Sequence, residues 1–540
     1  MKLVSISEMK SIEREADANG LTYDQMMENA GRGLAEVIQD LPIDEKEREV
    51  FALVGPGNNG GDTLIALTHL AADGWLTRAY LVNRKEEPLV ERLEKSGGEI
   101  VYADEDKDLL SLNSFIQTAT IVLDGILGTG IKLPLKSDIA TTLGEVHSIV
   151  DAMEERPFVI AVDCPSGVNC DTGEAADECI QADLTVTMAE VKQGLLKIPA
   201  YELVGDLQVV DIGLPDDLPT LVSVRTEVAE ADMVAAMLPT RGADAHKGTF
   251  GTALIAAGSI NYTGAGLLAG QGAYRAGAGL VTLAVPSPIH AILASQFPEA
   301  TWILLPNELG VINESAAEVL MKNIDRATAL LIGPGFGMED ATKEFIQSLL
   351  IGKSGGQKAS SRIGFLQSEN DKKREAKSEL PPMVIDADGL KLLASIEGWY
   401  KLIPPQSILT PHPGEMSVLT GLDKDEIQKD RQGIAIKFAK EWNQVVVLKG
   451  AFTVIASPEG RVTIIPIASP ALARAGTGDV LAGLIVGLRA QGVEAFEAAV
   501  AGAWIHAQAG LYAASKLGTT TSVLAGDVLN SISDVFANLG

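Results

Sequence analysis

Short apolar runs alternate with polar, glycine-rich turns along most of the chain. In the first part such runs cover residues 50–54, 121–123 and 158–162, and each opens directly into a loop with glycine and a polar side chain. A segment whose apolar residues have helical spacing, 23–38, precedes these runs. Buried strands that alternate with helices form parallel sheets covered by helices. The pattern therefore predicts an α/β fold in this part of the chain.

The first helix is predicted from the spacing of Met9, Ile12 and Ala16, which places the three side chains on one face. Ser7 is expected to cap the amino end of this helix, and Gly20 is expected to end it. An apolar stripe of this kind packs a helix against a hydrophobic core.

The same pattern restarts in the second part of the chain. Apolar runs at 252–257, 329–332, 383–385 and 445–448 each lead into a glycine-rich or polar loop. A small-residue helix is expected to begin at Gly264, and such helices let backbones approach closely. The second part is therefore predicted to be α/β as well.

Chain length and the position of a turn-rich passage predict the domain boundaries. A chain of 540 residues is too long for a single hydrophobic core. The passage 216–223, with two aspartates followed by a proline, is expected to be a linker. We therefore expect one domain over 1–215 and a second over 224–540.

The polar stretch 352–380 interrupts the second α/β pattern and is predicted to be a flexible surface insertion. It holds seven Lys or Arg and four Asp or Glu residues between positions 353 and 379. Solvated disorder is the interpretation that its composition favours. A basic loop that docks a partner is the alternative.

Composition excludes several classes of partner. The hydrophobic content of 46% and the 54 glycines are typical of glycine-turned α/β proteins. A formal net charge of −29 argues against a nucleic-acid or anionic-membrane surface. Cys164, Cys170 and Cys179 are few and clustered, which favours a reduced compartment over a disulfide framework. No transmembrane span or signal peptide is predicted, so a cytoplasmic location is expected.

A glycine turn with one acid, residues 475–483, is the strongest candidate for chemistry. Small residues before an apolar helix let backbone N–H groups form an anion nest at the helix amino end. Asp479 stands at the junction, where a carboxylate can take a proton from a hydroxyl that is being phosphorylated. The alternative is a tight turn in which Asp479 only caps the helix.

The loop after residues 50–54 matches a dinucleotide fingerprint only formally. Gly55, Gly57 and Gly60 give the GxGxxG spacing, but the helix then begins with asparagines and an aspartate. The acid expected about twenty residues later is replaced by Asn83 and Arg84. Hydride transfer that depends on NAD is therefore not favoured.

Three polar residues at strand ends predict a cation site. Asn59, Asp124 and Ser166 follow three apolar runs whose carboxyl ends share one edge of a parallel sheet. Their oxygen atoms suit a hard cation. Cys164 lies in the same region, but we interpret it as a packing residue because no histidine is near it in sequence.

Five motifs stand in order along the first part of the chain: MENAG, NNGGD, DGILGTG, DCPSGVN and the TVTM…KQG segment. In these motifs and their order, residues 2–214 resemble the NAD(P)HX epimerases, where NAD(P)HX is hydrated NADH or NADPH. It implies a Rossmann-like domain that interconverts the R and S epimers of the hydrate. The same resemblance implies that potassium is held by Asn59, Asp124 and Ser166. It also implies that the hydrate contacts a larger set: Asn58, Asn59, Gly60, Gly61, Asp62, Gly128, Thr129, Gly130, Ile131, Lys132, Leu133, Pro134 and Asp163.

The second part contains the motifs KGTFG, GPGFG, DADGL, TPHPGE, KGAFT and AGTGD, in this order. In these motifs, the chain from about residue 224 to the end resembles the ADP/ATP-dependent NAD(P)HX dehydratases, a branch of the ribokinase-like fold. The resemblance implies that the adenine nucleotide is bound by Lys449, Gly450, Ala451, Phe452, Thr453 and Gly478. It implies that the hydrate contacts Ala253, Gly335, His412 and Asp479.

Both resemblances together imply a repair enzyme for damaged nicotinamide nucleotides. Its substrates would be NADHX, NADPHX and ADP or ATP, with magnesium bound to the nucleotide, and a homo-oligomer is expected. Asp479 would be the catalytic residue of the dehydratase. Where the family often has a second glycine before the GTGD turn, this chain has Ala475 preceded by Arg474, which leaves the nucleotide preference open. The alternative is a ribokinase-like kinase of a small molecule fused to a non-catalytic nucleotide-binding domain.

Overall fold

The computed structural model describes residues 1–351 and 380–539. Apart from Leu380, the expected insertion 352–380 lies outside the described residues. The chain divides into two compact units, Met1–Glu227 and Val228–Gly540. The division lies a few residues after the expected linker. Within that passage the chain forms a short helix, Pro219–Ser223, and buries Leu218 and Leu221 in the core of the first unit.

The strands of the first unit are β1 (Leu3–Val4), β2 (Glu49–Val54), β3 (Leu76–Leu81), β4 (Glu99–Tyr102), β5 (Ile121–Gly125), β6 (Phe158–Val162), β7 (Leu184–Met188), β8 (Val191–Lys192) and β9 (Asp206–Val210). Its α-helices are α1 (Ile6–Ala18), α2 (Tyr23–Gln39), α3 (Asn58–Ala72), α4 (Pro88–Lys95), α5 (Leu110–Thr118), α6 (Ser137–Ala152), α7 (Tyr201–Val204) and α8 (Pro219–Ser223).

Seven strands of the first unit form one parallel sheet in the order β4-β3-β2-β5-β6-β7-β9. Side chains alternate between its two faces: Val50 and Ala52 belong to one core, whereas Phe51 and Leu53 belong to the other. A central strand buried on both faces explains the unbroken apolar run of β2. Strand order reverses at β2 and β5, which opens a crevice at their carboxyl ends.

Most predicted element bounds agree with the structure to within two residues. Met9, Ile12 and Ala16 are the buried residues of α1, as predicted. The cap is Ser5 rather than Ser7, because the Ser5 side chain accepts the Glu8 N–H in a capping box.

The strands of the second unit are β10 (Thr226–Val228), which the division crosses, β11 (Thr252–Ala256), β12 (Leu280–Pro286), β13 (Thr301–Leu305), β14 (Asn307–Glu308), β15 (Val311–Ile312), β16 (Ala329–Ile332), β17 (Met383–Ile385), β18 (Ile408–Leu409), β19 (Val445–Leu448), β20 (Val454–Ala456) and β21 (Val462–Ile464). Its α-helices are α9 (Ala231–Met237), α10 (Thr263–Arg275), α11 (Ser287–Ala294), α12 (Ala316–Met321), α13 (Asp340–Ile351), α14 (Asp388–Ala394), α15 (Pro413–Thr420), α16 (Lys424–Lys429), α17 (Arg431–Trp442), α18 (Thr477–Ala490), α19 (Ala495–Leu517) and α20 (Ala525–Asn538).

The large sheet of the second unit runs in the order β10-β21-β20-β19-β18-β17-β16-β11-β12-β13. Its strands from β13 to β19 are parallel, whereas β20 and β21 pair antiparallel. The loops after β11, β16, β17, β18 and β19 therefore meet at one edge of the sheet. Among the residues that the structure describes, no helix is both long and apolar enough to cross a membrane.

Helices α10 and α18 are held together by glycines. A Cβ at Gly483 would lie 2.2 Å from the Ala269 carbonyl oxygen, and one at Gly272 would lie 2.8 Å from the Val480 carbonyl oxygen. This confirms the prediction that the small-residue helix allows close backbone approach. The contact fixes α18, whose first turn carries Asp479.

Candidate active sites

The turn between β2 and α3 is stabilised by the side chain of Arg84. Its guanidinium donates to the carbonyl oxygens of Gly55 and Gly57, at 2.6 and 3.0 Å. A Cβ at Gly60 would lie 2.0 Å from the Gly55 carbonyl oxygen, so only glycine fits there. Arg84 thus occupies the chain position where the dinucleotide fingerprint has an acid, and it supports the turn instead.

A cavity of about 740 Å³ opens at this edge of the first sheet. Of the residues predicted to contact a ligand, it is lined by Asn58, Asn59, Asp62, Gly128, Thr129, Gly130, Ile131 and Asp163. The other predicted contacts, Gly60, Gly61, Lys132, Leu133 and Pro134, are not among its lining residues. Gly60 and Gly61 are buried, and a Cβ at Gly61 would meet the Met27 sulfur at 2.7 Å. Eight of the thirteen predicted contact residues therefore line the cavity, and five do not.

The three predicted cation ligands are connected through Leu127. The Asn59 amide donates to the Leu127 carbonyl oxygen at 3.0 Å, and the Leu127 N–H donates to the Ser166 hydroxyl at 2.9 Å. The Ser166 N–H in turn donates to Oδ2 of Asp124 at 2.7 Å. The loops after β2, β5 and β6 are thereby joined, as expected from the parallel sheet.

Two oxygen atoms in this group have no partner within the described residues. Oδ1 of Asn59 and Oδ1 of Asp124 are both buried and accept no hydrogen bond. Burial raises the pKa of Asp124 to about 6, although hydrogen bonds from Ser166 oppose the rise. A buried acceptor without a donor costs about 1–3 kcal/mol unless an ion or a water satisfies it. Their oxygen chemistry fits a hard cation.

Asp163 is held by a buried lysine that was not among the predicted site residues. Lys192 is almost fully buried, and its ammonium donates to the Asp163 carboxylate, to the Thr187 hydroxyl at 3.0 Å and to the Met188 carbonyl oxygen at 2.7 Å. Asp163 also accepts from the Met188 N–H at 3.1 Å. The position of Lys192 in the KQG segment was the only signal for it in the sequence.

The cysteines of this unit are structural. Cys164, Cys170 and Cys179 are free and buried, and they pack in one small apolar cluster with Val168 and Leu195. A hydrogen bond with the neighbouring Cys170, together with burial, raises the pKa of the Cys164 thiol well above its ordinary value. The interpretation of Cys164 as a packing residue is confirmed.

In the second unit, the AGTGD turn caps α18 with glycine. Gly476 is the N-cap, with a φ of +89°, and no side chain caps the helix. Asp479 lies in the first helical turn, so the alternative that it acts as the N-cap is wrong. The amino end of α18 therefore keeps free N–H groups that suit an anion.

Lys449 lies next to this turn and pairs with a buried acid. Its ammonium is 2.6 Å from Oδ1 of Asp386 and 3.8 Å from Oε2 of Glu415, and a Cβ at Gly478 would be 3.6 Å from it. Burial lowers the pKa of Lys449, but the attraction of Asp386, Glu415 and Asp479 outweighs it, so the pKa is raised. The ammonium therefore stays charged. Asp386 and Glu415 stood in the DADGL and TPHPGE motifs, but the sequence analysis gave them no role.

The Asp479 carboxyl group has a strongly perturbed acidity. Burial raises its pKa to about 7, Asp386 and Asp388 add to the rise, and Lys449 opposes it. A carboxyl group whose pKa lies near neutrality can accept and return a proton at physiological pH. This property is what the predicted role requires.

The KGAFT loop follows β19 and rests on Arg431 of α17. The Arg431 guanidinium donates to the carbonyl oxygens of Leu448 and Lys449, at 2.8 and 3.2 Å. Gly450 has a φ of +141°, and a Cβ there would lie 3.0 Å from the same guanidinium. The Thr453 hydroxyl closes the loop on the Gly450 carbonyl oxygen at 2.9 Å. The sequence contained no signal for Arg431.

His412 lies at the same edge, as the N-cap of α15. Its Nδ1 accepts from the Gly414 and Glu415 N–H groups, and its Nε2 is 3.2 Å from the Glu415 carboxylate. Burial lowers the pKa of the His412 imidazole. The ring is half exposed, with one edge bound to the helix and the other side open.

Gly335 belongs to this edge, but Ala253 does not. A Cβ at Gly335 would lie 2.9 Å from Cβ of Tyr262, and its loop is tied to the loop after β11 by a bond from Gly258 N–H to the Pro334 carbonyl oxygen. Ala253 is fully buried in the hydrophobic core near the amino end of β11. The ligand contact expected of Ala253 would need a residue at the carboxyl end of β11. Residues 257–259 follow that end of the strand.

Arg474, which departs from the family motif, is turned away from the glycine turn. Its guanidinium donates to the carbonyl oxygen of Thr521. The arginine is therefore already engaged with the loop before α20.

The fold and the two sites define an α/β enzyme with one active site in each unit. Comparison with known proteins agrees. The family model described as YjeF-related protein N-terminus matches residues 23–194, and the model described as NAD(P)H-hydrate dehydratase matches residues 253–356 and 363–533.

The chain belongs to the family of bifunctional NAD(P)H-hydrate repair enzymes, as the motifs predicted. It is 35% identical to the repair enzyme Nnr of Moorella thermoacetica, with 100% of this chain and 97% of the relative covered. It is 33% identical to Nnr of Thermofilum pendens, with 96% and 93% covered. The solved ADP/ATP-dependent NAD(P)H-hydrate dehydratase of Bacillus subtilis, co-crystallized with ATP and Mg²⁺, is 28% identical; the match covers 58% of this chain and 99% of that chain, with a TM-score of 0.46. The prediction that both parts of the chain are α/β with largely parallel sheets is confirmed.

Proposed function

We propose that the first unit interconverts the R and S epimers of hydrated NADH and NADPH, and that the second unit dehydrates the S epimer with ADP or ATP. The full-length match to a relative named as a bifunctional NAD(P)H-hydrate repair enzyme supports this proposal. An enzyme with both activities can repair all of the hydrated nucleotide, because the R epimer, which the dehydratase does not accept, is converted into the S epimer.

Dehydration needs an activated leaving group, because hydroxide is a poor one. Transfer of a phosphoryl group to the substrate hydroxyl converts it into phosphate, and the lone pair of the ring nitrogen then expels this phosphate as the C–O bond breaks. The resulting iminium ion loses a proton from the neighbouring ring carbon, and the electrons of that C–H bond form the ring double bond of NAD(P)H. With ADP as donor, the products are NAD(P)H, AMP and phosphate. Asp479, whose pKa is about 7, takes the hydroxyl proton as the new P–O bond forms.

The charge on the transferred phosphoryl group is balanced by the amino end of α18 and by Lys449. A Cβ at Gly478 would be 3.6 Å from the Lys449 ammonium, which places this ammonium beside the first turn of α18. Backbone N–H groups and a fixed ammonium stabilise negative charge without reorganisation during the reaction. The KGAFT loop, supported by Arg431, would hold the rest of the nucleotide.

Magnesium would be held mainly by the nucleotide. In the described parts of the chain, no group of three or more His, Cys, Asp or Glu side chains is arranged to hold a metal ion. Magnesium usually keeps waters and binds one or two carboxylates together with phosphate oxygens. Asp386, Glu415 and Asp479 are the carboxylates beside Lys449 that could contribute.

Potassium would be held by Asn59, Asp124 and Ser166 in the first unit. The two buried oxygens without partners, Oδ1 of Asn59 and Oδ1 of Asp124, support this assignment. A bound cation would supply positive charge at the edge of the cavity and fix the loop around Leu127, next to Gly128.

The test is to incubate the full chain with mixed NADHX epimers, magnesium, potassium and either ADP or ATP, and to follow NADH absorbance. We expect both epimers to be recovered as NADH. Recovery that stops at the S fraction would contradict the epimerase assignment. A stable phosphorylated product without NADH would instead indicate the small-molecule kinase.

A further inference from the structure

The cavity of the first unit contains an aspartate for which the fold supplies no partner. Asp62 lies on α3, one turn beyond its start, and its residue surface is only 9% exposed, yet it lines the cavity. Within the part of the chain that the structure describes, no hydrogen bond is donated to its carboxyl group. A buried acid of this kind is costly to keep for structure alone.

The nearby lysine is already committed to another acid. Lys192 uses its ammonium protons on Asp163, Thr187 and Met188. The Asp163 carboxylate is therefore already engaged by an ammonium and a backbone N–H.

Asp62 has a different acidity. Burial raises its pKa well above the ordinary value, and the negative charges of Asp163 and Glu13 add to the rise, whereas Lys192 and Arg84 oppose it. Lys10 and Asp24 are further charged residues that line the cavity. The result is a carboxyl group that holds a proton more tightly than a solvent-exposed aspartate and can exchange it with a ligand.

The proposed reaction requires one group that both removes and returns a proton. Hydration of the nicotinamide ring places the hydroxyl on the carbon next to the ring nitrogen. When the hydroxyl proton is removed, the O–H electron pair left on oxygen forms the carbonyl π bond. The C–N bond breaks, its electron pair moves to nitrogen, and the nitrogen takes the proton. Rotation of the aldehyde and re-attack by nitrogen on its other face, with the proton returned to oxygen, gives the other epimer. Atoms and electrons balance without an oxidant or a second substrate.

We propose that Asp62 is the catalytic residue that carries this proton between the substrate oxygen and the ring nitrogen, an inference that rests on the proposed epimerase function. Its position inside the cavity beside the locked Asp163–Lys192 pair supports this role. Glu13 is the nearest rival, because it also lines the cavity and burial raises its pKa. Glu13 lies on α1, however, and is more exposed than Asp62.

The experiment compares Asp62→Asn with the matched variant Glu13→Gln in the full chain. Epimer exchange is measured on purified S-NADPHX without nucleotide, by chromatographic separation of the epimers over a range of pH. We expect Asp62→Asn to lose roughly 10²- to 10⁴-fold in rate. Glu13→Gln should lose less than about tenfold. The wild-type rate should rise with pH through a single group with a pKa above the ordinary aspartate range, and any residual rate of Asp62→Asn should lack this rise.

Two further measurements separate the possible failures. Dehydration of S-NADPHX with ATP by the second unit should be unchanged in Asp62→Asn, which controls for folding and for substrate quality. If Asp62→Asn unfolds the first unit, Asp62→Glu should restore both folding and part of the pH-dependent exchange. Wild-type protein that does not exchange epimers would overturn the proposed epimerase function itself. Wild-type exchange together with near-normal exchange by Asp62→Asn would overturn only the role of Asp62.

Discussion

The ammonium of Lys449 lies 2.6 Å from Oδ1 of Asp386, and Asp386 is almost completely buried. The Thr410 hydroxyl donates to the same oxygen, also at 2.6 Å. The pair fixes a positive charge beside Gly478, at the amino end of α18. Asp386 thus positions the cation that the proposed phosphoryl transfer uses.

Removing Asp386 should therefore lower both stability and nucleotide affinity. Asp386→Ala leaves the Lys449 ammonium without its main partner, and breaking a buried pair in this way costs roughly 3–5 kcal/mol. Unfolding in urea and the KM for ATP are the measurements. Asp534→Ala, which breaks the exposed pair with Lys516, is the control and should cost at most about 1 kcal/mol. Equal effects of the two variants would contradict the positioning role.

Asp479→Asn should abolish dehydration and leave epimer exchange intact. Asparagine has nearly the same shape but cannot accept the substrate proton, and loss of a general base costs roughly 10² to 10⁴ in rate. NADH regeneration and epimer exchange are measured on one preparation. Asp527→Asn is a matched control, because Asp527 occupies the same position in α20, where its carboxylate accepts the Leu524 N–H. Dehydration by Asp479→Asn at close to the wild-type rate would rule out the catalytic role.

The same substitution should stabilise the second unit at high pH. The folded-state pKa of Asp479 is about 7, above its ordinary value of 3.8, so the folded state binds this proton more tightly than the unfolded state does. Stability is therefore lost as pH rises from about 4 to 7, and Asp479→Asn removes that loss. Without nucleotide or magnesium, its Tm should exceed that of the wild type at pH 8 by roughly 2–4 °C per kcal/mol relieved, and the gain should shrink toward pH 4. A Tm difference that does not change with pH would refute this account.

Gly450→Ala should weaken nucleotide binding. A side chain there strains the backbone, whose φ is +141°, and lies 3.0 Å from the Arg431 guanidinium that supports the loop. We expect the affinity for ATP, measured by calorimetry, to fall at least about tenfold. Gly526→Ala is the control, since a Cβ there meets nothing within 4 Å, and alanine is better than glycine inside a helix by roughly 0.5–1 kcal/mol. Unchanged ATP affinity in Gly450→Ala would remove this loop from the nucleotide site.

Potassium should stabilise the first unit, and Asp124→Ala should remove the effect. A ligand that binds only the folded state raises stability by an amount that grows with its concentration. The Tm of the first unit is compared in KCl and in choline chloride at equal ionic strength. Cys164→Ala, which alters the neighbouring apolar cluster but no proposed ligand, should keep the response to potassium. A wild-type Tm that is equal in both salts would contradict the cation site.

The sequence by itself determined the α/β class, the two-unit organisation and the family. Apolar runs that end in polar loops are local features, and a parallel sheet brings the loops after its strands to one edge whatever the helices between them do. From the sequence alone, one site could be predicted to contain Asn59, Asp124 and Ser166, and another to contain Lys449 and Asp479.

Only the tertiary structure decided how these groups are paired and how acidic they are. Hydrogen bonds from three basic side chains hold groups that are distant in sequence or lie across a turn: those of Arg84, Lys192 and Arg431. The spacing of apolar residues carries no information about such contacts. The raised pKa values of Asp62 and Asp479 depend on burial and on charges from separate elements, so they arise only in the folded chain. Ala253 is a different case, because the expected contact was taken from the family motif alone. Its place near the start of the predicted strand already argued against a contact at the carboxyl edge, and the structure buries it in the core.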